Sequence, residues 1–394
     1  MHVYVTEGEM RRRVRRRISL GIVFGLVVMV AAAGTWVLAK GGVSPSSGPG
    51  VAASPDATPS GAASRSVLAS PSPSAAPAVI EVGWVGDTTP GSKYGMPPNG
   101  GRSLFGSIRP LLSKPDLMIA NLEGTFSTPG PSKCDASTTG ACFAFQAPPT
   151  YAKALAWAGI DLVNVANNHS NDYLTRGFLQ TQQALKKVGV AYAGLPNKVT
   201  VTSVRGVRVA VMGFSPYPWS APLNDIPTAA KLVRHAASEA DVVIVLMHAG
   251  AEGADKIHTP YGPEYAFGED RGNVRAFAHA MVDAGADLVL GSGPHVIRGI
   301  ERYKKRLIAY SLGDFACWRN LGLGGNLSLS GLLTVRIDSK GSILGGRWRS
   351  IYLVAPGVPT VDRSNASLKL VRSLSVTDFP QTYRLDSKGY FASH

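Results

Sequence analysis

Five short apolar runs, each followed at once by a polar cluster, constrain the fold of this chain more than any other feature. The runs are VIEVGWV, LMIA, LVNVA, VVIVLM and DLVLGSG. In the same order, they lead into Asp87, Asn121-Leu122-Glu123, Asn167-Asn168-His169, His248 and His295. Runs of this length and composition are typical of buried strands. Because ligands of open α/β sheets bind beyond the carboxyl ends of the strands, we expect these polar side chains to share one site.

Helical segments alternate with strand segments from Val79 onward. The predicted helices span residues 104–112, 150–159, 178–188, 229–239 and 273–284. Two more strands are predicted within VTSVRGVRVAVMGF, and others at residues 307–312 and 331–337, whereas residues 340–394 show a mixed pattern. This alternation predicts one α/β domain with a largely buried sheet, which we assign to residues 79–394.

Residues 261–271 form a long connection without apolar periodicity. Loops of this length are often functional. Because this one follows His248 closely, we expect it to form one wall of the site.

The N-terminal region predicts a membrane anchor. Residues 18–39 contain no charged side chain, and about 20 apolar residues cross a bilayer as a helix, so we predict a transmembrane signal anchor there. The arginines within residues 11–17 are expected to keep a basic tail, residues 1–17, in the cytoplasm. The domain then lies outside the cell on a single-pass anchor in the cell membrane. The alternative is a cleavable signal peptide, for which residues 31–33 offer alanines, although its apolar core is usually only about 7–15 residues long.

Residues 40–78 are rich in Gly, Ser, Ala and Pro and contain almost no large apolar side chain, which predicts a disordered linker. The chain has a formal net charge of +14, of which residues 1–17 carry +4 and residues 40–78 carry +1, leaving +9 for residues 79–394. That surplus fits either an ordinary solvated surface or an affinity for anionic lipid or anionic polymers. We expect no nucleic-acid partner.

The three cysteines have different expected roles. Cys134 and Cys142 bracket the short polar loop CDASTTGAC, and outside the cell such a pair is expected to form a disulfide rather than remain as two thiols. Cys317 follows an apolar run and is expected to be a buried structural thiol rather than a nucleophile.

The chemistry of the strand-end residues predicts a metal centre. Carboxylates, an amide oxygen and imidazoles together suit Mn²⁺, Fe or Zn²⁺ better than Ca²⁺. We predict one or two divalent ions, held by Asp87, Glu123, Asn168, His248 and His295. Two such ions would clamp a phosphoryl group and activate a water. Taken singly, each of these residues also has a simpler interpretation, as a turn cap, a partner of loop amides or a core histidine.

His169 and Asp172 are the predicted catalytic pair. His169 is adjacent to Asn168 and is expected to protonate a leaving group, while Asp172 holds its imidazole in one tautomer. In contrast, His235 and His279 fall within predicted helices and are expected to be surface or packing residues.

These clusters, in this order, resemble the CapA family, the poly-γ-glutamate capsule synthesis proteins of the metallophosphoesterase-like superfamily. The resemblance runs from about Val79 to Phe315. Beyond the strand-end clusters, it rests on Gly86, Asp172, Glu252, Gly291-Ser292-Gly293-Pro294-His295 and Tyr310-Ser311-Leu312-Gly313-Asp314-Phe315. It implies a four-layer sandwich of two central sheets flanked by helices, with metal ligands on strand-end loops. It also implies membrane attachment and a role in making or exporting poly-γ-glutamate, or a related anionic envelope polymer, within a capsule synthesis and export complex.

Three positions depart from the pattern of the family. Gly293 stands where the family commonly has the first His of Gly-x-His-Pro-His, which removes one imidazole. The family's His-Trp-Gly is His248-Ala249-Gly250 here, and its closing Gly-Asn-Phe is Gly313-Asp314-Phe315, which adds a carboxylate. The candidates to replace the missing ligand are Asp314, His258 and Glu264. The residues expected to support the site are Asn121, Asn167, Glu252 and Asp314.

Three functions remain open from the sequence. The first is a metal-dependent hydrolase or transferase that acts on a phosphoester or an amide-linked polymer, which His169, Asp172 and the carboxylates favour. The second is a non-catalytic polymer-binding component of a synthesis and export complex, which the anchor, the basic charge and Gly293 favour. The third is a structural protein of the cell wall with an inherited fold.

Overall fold

The computed structural model describes residues 3–4, 77–137 and 142–393. Apart from Val3 and Tyr4, the predicted basic tail of residues 1–17 lies outside the described residues, as do the predicted anchor of residues 18–39 and the linker up to residue 76. No helix in the described ranges combines the length and the apolarity that crossing a bilayer requires.

Two large β-sheets dominate the described part of the chain. In chain order, the strands are β1 (Val3–Tyr4), β2 (Val79–Thr89), β3 (Leu117–Leu122), β4 (Thr125–Phe126), β5 (Gln146–Ala147), β6 (Leu162–Asn164), β7 (Ala191–Ala193), β8 (Thr200–Val204), β9 (Val207–Ser215), β10 (Ala221–Pro222), β11 (Val242–His248), β12 (Tyr265–Ala266), β13 (Glu269–Asp270), β14 (Leu288–Ser292), β15 (Ile300–Tyr303), β16 (Arg306–Ala309), β17 (Asp314–Cys317), β18 (Leu329–Asp338), β19 (Ile343–Val354), β20 (Val358–Val361) and β21 (Tyr390–Ala392). Sheet I has the order β20-β19-β18-β2-β3-β6-β7, with β17 on β2 and β21 on β19. Sheet II has the order β1-β8-β9-β11-β14-β16-β15, with β10 on β9.

The central strands of each sheet run parallel, so that their carboxyl ends lie at one edge. In sheet I, β2 pairs with β3 and β3 with β6. In sheet II, β9, β11, β14 and β16 pair in the same way. Strands β3, β11 and β14 are buried along their whole length, as expected for parallel strands covered on both faces. The prediction of an α/β fold with largely buried sheets is confirmed.

Most of the described helices lie in connections between parallel strands. The helices are α1 (Arg109–Leu112), α2 (Ala152–Ala158), α3 (Leu174–Lys187), α4 (Ile226–Glu239), α5 (Val274–Asp283) and α6 (Ala366–Asp378). The carboxylate of Asp225 accepts a hydrogen bond from the Thr228 amide at the start of α4, and Asn273 caps α5 in the same way. Gly159 ends α2 in the left-handed conformation, with φ 97°. Helices α2 to α5 confirm four of the five predicted helices.

The predicted helix at residues 104–112 is wrong. The structure has a 3-10 helix over Asn99–Leu104 and a single α-helical turn over Arg109–Leu112. The reason is Pro110, which lacks an amide hydrogen and fits only the first turn of a helix, so that a helix cannot run through it from residue 104.

Three apolar clusters define the packing of the layers. Between the sheets, Trp84 and Ile119 of sheet I pack in one cluster with Val211 and Ile244 of sheet II. The outer face of sheet I packs on α1, α2 and α3, and that of sheet II packs on α4 and α5. Helix α6 joins the cluster between the sheets through Val371. The described residues therefore stack as helices, sheet, sheet and helices.

The cysteines lie as the sequence predicts. Cys134 and Cys142 form a disulfide, with their Cα atoms 5.4 Å apart. Cys317 is free and fully buried, and burial raises the pKa of its thiol well above the usual value. A thiol that stays protonated in this way is a poor nucleophile.

Leu246→Ala is expected to lower the free energy of unfolding by about 2–5 kcal/mol, because it opens a cavity between the two sheets. Leu179→Ala is the matched control, since Leu179 on α3 is 50% exposed and Leu246 is fully buried. Urea unfolding followed by tryptophan fluorescence measures both. Equal losses in the two variants would contradict the packing described here.

Candidate metal centre

The carboxyl-end edges of the two sheets bring four of the five predicted metal ligands together. Asp87 of β2 lies beside Asp314 of β17 in the register of sheet I. The Asp87 amide donates to the Gly313 carbonyl oxygen at 3.2 Å. A Cβ atom at Gly86 would lie 1.9 Å from that same oxygen, so only glycine permits this close approach. Glu123 follows β3 and His248 ends β11.

Four side chains form a tight cluster at this edge. Ligand atoms of Asp87, Glu123, His295 and Asp314 all lie within 4.8 Å of one another, and all four residues are buried. His295 Nδ1 lies 2.8 Å from Asp314 Oδ1 and 3.2 Å from Asp87 Oδ2. Its Nε2 lies 3.8 Å from Glu123 Oε1. His295 also has a left-handed φ of 60°, an unfavourable conformation for histidine that the surrounding structure must hold in place.

His248 lies directly beside this cluster. Its Nδ1 is 3.5 Å from Asp87 Oδ1, and its Nε2 is 3.6 Å from Glu123 Oε1. Its Nδ1 also lies 3.2 Å from Ser292 Oγ. Burial lowers the pKa of His248 against the pull of Asp87, which favours the neutral imidazole that metals bind.

Burial and mutual repulsion govern the ionisation of the carboxylates. Burial and the neighbouring charge of Asp87 raise the pKa of Glu123 well above its usual value. Burial also raises the pKa of Asp314, to about 6, against the opposing effect of His295. For Asp87, hydrogen bonds with His248 and His295 outweigh burial and lower the pKa. The pKa of His295 rises despite burial, because Glu123 and Asp314 favour its charged form.

Several buried atoms at this edge have no hydrogen-bond partner among the described residues. They are Glu123 Oε1 and Oε2, Asn168 Oδ1, His248 Nε2 and Asp314 Oδ2. Buried polar atoms are normally paired, and an unpaired one is costly. All five atoms can offer lone pairs, and together they are the oxygen and nitrogen donors that Mn²⁺, Fe or Zn²⁺ accept. The cluster therefore fits a divalent cation.

The backbone around Gly293 leaves no room for a side chain at this position. A Cβ atom on Gly293 would lie 2.9 Å from the Ala249 nitrogen and 3.0 Å from its oxygen, at a φ of 113°. The Gly293 amide instead donates to Asp87 Oδ2 at 3.2 Å. Of the three candidates to replace the missing imidazole, Asp314 joins the cluster. His258 pairs with Asp378 and Glu264 with Arg298, each at 2.8 Å.

His169 and Asp172 form a buried pair next to Asn168. His169 Nδ1 lies 2.8 Å from Asp172 Oδ2, which also accepts from the Phe145 amide at 2.6 Å. Lys133 Nζ lies 2.7 Å from Asp172 Oδ1 and donates to the Asn168 carbonyl oxygen at 3.2 Å. Burial lowers the pKa of His169, although Asp172 opposes this shift. Asp172 therefore fixes the ring, with its Nδ1 occupied.

A network of asparagines supports the carboxylates. Asn121 donates to Asp87 Oδ1 at 2.7 Å, and Asn164 donates to Asn121 Oδ1 at 2.9 Å. Asn167 donates to the Leu122 carbonyl oxygen at 2.8 Å, while its own carbonyl accepts from Trp219 Nε1 at 2.8 Å. Asn164 is not among the residues predicted from the sequence, although an amide inside the apolar run LVNVA is a signal that such a network exists.

The loop of residues 261–271 meets the cluster through Arg271. This arginine is almost fully buried, and its Nη1 lies 2.6 Å from Glu252 Oε1. Glu252 Oε2 lies 3.6 Å from His295 Nε2. Burial raises the pKa of Glu252, but His295 and Arg271 outweigh it and lower that pKa to about 2. The loop thus holds a charged carboxylate against one side of the cluster.

Comparison with known proteins relates this chain to bacterial capsule synthesis proteins. The profile of a family described as bacterial capsule synthesis protein PGA_cap matches residues 81–318. The capsule biosynthesis protein CapA of Bacillus anthracis is 33% identical over 183 residues, 41% of this chain and 41% of the relative. The PGA biosynthesis protein CapA of Bacillus subtilis is 28% identical over 256 residues, 60% of this chain and 63% of the relative. This chain therefore aligns with less than two thirds of the length of either relative.

One solved structure with a similar backbone is a putative 5'-nucleotidase from Staphylococcus aureus. It is 14% identical with a TM-score of 0.42, over 75% of this chain and 58% of that chain.

Asp314→Asn and His295→Ala are expected to remove bound metal, because each takes away one of the clustered donors. The affinity for the metal should fall by more than the roughly 10- to 100-fold that results when a residue hydrogen-bonded to a metal ligand is removed. Asp283→Asn is the control, since that carboxylate is 43% exposed and pairs with Lys304. Elemental analysis of Mn, Fe and Zn per dialysed chain measures the effect. A wild-type chain without transition metal, or full occupancy in both variants, would overturn the assignment.

Gly293→His is expected to destabilise the fold by roughly 2–4 kcal/mol without adding a second ion, because of backbone strain and overpacking against Ala249. Gly293→Ala carries the same Cβ clash without an imidazole and should lose nearly as much stability. Urea unfolding and metal analysis test both variants. A Gly293→His chain that is as stable as the wild type and binds an additional ion would show that the site needs only this ligand.

Proposed function

Because the chain belongs to the family of bacterial capsule synthesis proteins, PGA_cap, we propose that it makes or exports an anionic envelope polymer such as poly-γ-glutamate. We further propose that its domain is a metal-dependent hydrolase with a metallophosphoesterase-like site. The single observation that carries the catalytic part is the buried cluster of Asp87, Glu123, His295 and Asp314, with its unpaired oxygen atoms. Fully buried carboxylates that lack partners are expensive unless they bind a cation or do chemistry.

The residues that would hold the ion are those of the cluster, with His248 and Asn168 as further donors. When a divalent ion is bound there, it supplies Lewis acidity toward a phosphoryl or carbonyl oxygen. A second ion would have to share Glu123 with the first and could add only Asn168 and His248, since Gly293 offers no side-chain donor. We therefore expect the second ion to be weakly held or missing.

His169 is the group that moves a proton. With Nδ1 held by Asp172, its Nε2 is the atom left to exchange a proton with the substrate. In the charged form it donates to the leaving group, and in the neutral form it accepts a proton from the attacking group. The Asp172 carboxylate stabilises the imidazolium that forms, and Lys133 holds that carboxylate in place. Phe145, with its ring 4.3 Å from the imidazole, keeps water from one side of the ring.

We propose that residues 18–39 anchor the chain in the cell membrane, with residues 1–17 inside the cell and the domain outside. The uncharged stretch and the arginines before it support this orientation. The Cys134–Cys142 disulfide also supports it, because disulfides persist in oxidising compartments. Protease added to intact cells should remove the domain; a fully protected domain would refute this orientation.

A second function has an observation of its own. Gly293 takes the place of a metal ligand and its surroundings are closed to a side chain, which favours a non-catalytic polymer-binding component of the synthesis and export complex. The two functions differ in one measurable property, the turnover of a substrate.

His169→Ala is expected to lower the turnover of a generic phosphodiester, bis(p-nitrophenyl) phosphate, by about 10²- to 10⁴-fold, because general acid–base catalysis contributes that much. The metal content should stay at the wild-type level. His235→Ala is the matched control, since its side chain is 49% exposed on α4. Turnover that survives the loss of His169 would refute its role, and a wild-type chain that binds metal without turnover would favour the polymer-binding component.

A further inference from the structure

A groove of about 500 Å³ lies between α6 and the segment that follows it. Three cations, Lys369, Arg372 and Arg384, line this groove, and no carboxylate does. None of the residues of the candidate metal centre lines it either. The groove is therefore a second concave surface, with a charge opposite to that of the carboxylate cluster.

The side chains of all three cations are exposed. Within the described residues, no carboxylate forms an ion pair with any of them. In contrast, the cations where β15 turns into β16 have acidic partners. Lys304 pairs with Asp283, and Arg306 pairs with Asp287. The positive charge of the groove is thus left available to an anion from solution.

Hydrogen bonds to β15, the edge strand of sheet II, hold both walls of the groove. From α6, Ser375 Oγ accepts from the Ile300 amide at 2.8 Å. From the other wall, Thr382 Oγ1 donates to the Ile300 carbonyl oxygen at 2.5 Å, and the Gln381 carbonyl oxygen accepts from the Arg302 amide at 3.0 Å. The groove is preformed, so binding in it orders little of the chain.

The arrangement of the cations favours an extended ligand. Lys369 and Arg372 are three residues apart on one face of α6, and Arg384 stands on the opposite wall. The hydroxyls of Ser373 and Thr377 also line the groove. A small anion is usually held by convergent, buried donors. Exposed cations on two walls instead match a chain whose negative charges repeat.

We propose that this groove binds a strand of a linear polymer with repeating carboxylates. The identity of the polymer rests on the proposed function, whereas the groove is independent of the metal centre. Asp378, the last residue of α6, pairs with His258 at 2.8 Å and accepts from the Thr259 amide at 2.9 Å. Both partners belong to the connection between Glu252 and Arg271. The C-terminal end of α6, which forms one wall of the groove, therefore contacts the connection that reaches the metal centre.

The test compares two full-length variants with equal changes of charge. Lys369→Glu/Arg372→Glu/Arg384→Glu reverses the groove, and Lys153→Glu/Lys186→Glu/Lys187→Glu reverses three exposed lysines on α2 and α3. Both variants keep the arginines of residues 11–17, so a difference between them reports the groove alone. The probe is poly-γ-glutamate, with affinity measured at low and high salt.

We expect the groove variant to bind the polymer roughly 10- to 100-fold more weakly, at about twofold to fivefold per exposed charge contact, and the control to change by no more than about twofold. Binding by the wild type should weaken in high salt, because salt screens exposed charges. The milder Lys369→Gln/Arg372→Gln/Arg384→Gln variant, with wild-type metal content as evidence of folding, should also lose affinity.

Equal losses in the groove and control variants, wild-type affinity in the groove variants, or a wild-type chain that does not bind the polymer would each overturn this inference. Turnover of the phosphodiester and metal content are measured on the same preparations. If the chain turns over the phosphodiester and the groove variants still bind the polymer like the wild type, the groove is refuted but the hydrolase is not. If polymer binding depends on the groove but the wild-type chain holds no metal and shows no turnover, the proposed hydrolase is refuted but the groove is not.

Discussion

The burial of three carboxylates with little positive charge from the protein is the interaction on which the site depends. Asp87, Glu123 and Asp314 are completely buried and lie within reach of one another. Removing charged groups from water is unfavourable unless they are paired or bind a metal. His295 compensates part of this charge, while Arg271 is occupied by Glu252. A divalent cation would replace the His295 proton as the countercharge, because a metal binds the neutral imidazole, and its binding would then stabilise the folded state.

The two-sheet architecture produces this burial. Each sheet on its own delivers part of the donor set, with Asp87, Glu123 and Asp314 from sheet I and His248 and His295 from sheet II. The sheets pack through an apolar layer, and polar side chains begin where the strands end. Within sheet I, Gly86 packs against the Gly313 carbonyl, and at the edge of sheet II, Gly293 packs against the Ala249 backbone, while the Gly293 amide reaches across to Asp87. The contact with the Ala249 backbone closes position 293 to a side chain. The lack of an imidazole at this position and the tight packing around it therefore have one cause.

Local patterns in the sequence were sufficient for most elements and for the position of the site. A strand and the polar residue that ends it are adjacent in the chain, so Asp87, Glu123 and His248 could be found together. The prediction of a helix over residues 104–112 was wrong because Pro110 allows only a helix that begins next to it. Contacts between residues far apart in the chain could not be predicted from such local patterns. Asp314 was one of three candidate replacements, and the pairing of β17 with β2 decides between them. Lys133 likewise reaches Asp172 from a distant loop.

The carboxylate cluster and the basic groove have opposite charges, so the two proposed ligands, a cation and a polyanion, belong to different parts of the domain. Anomalous diffraction tests most directly whether Asp87, Glu123, His295 and Asp314 hold a metal ion. Crystals of the chain equilibrated with Mn²⁺ and measured at the manganese edge should show their strongest anomalous peak among these four side chains, with a weaker peak or none between Glu123 and His248. A strongest peak elsewhere, or no peak, would contradict the account.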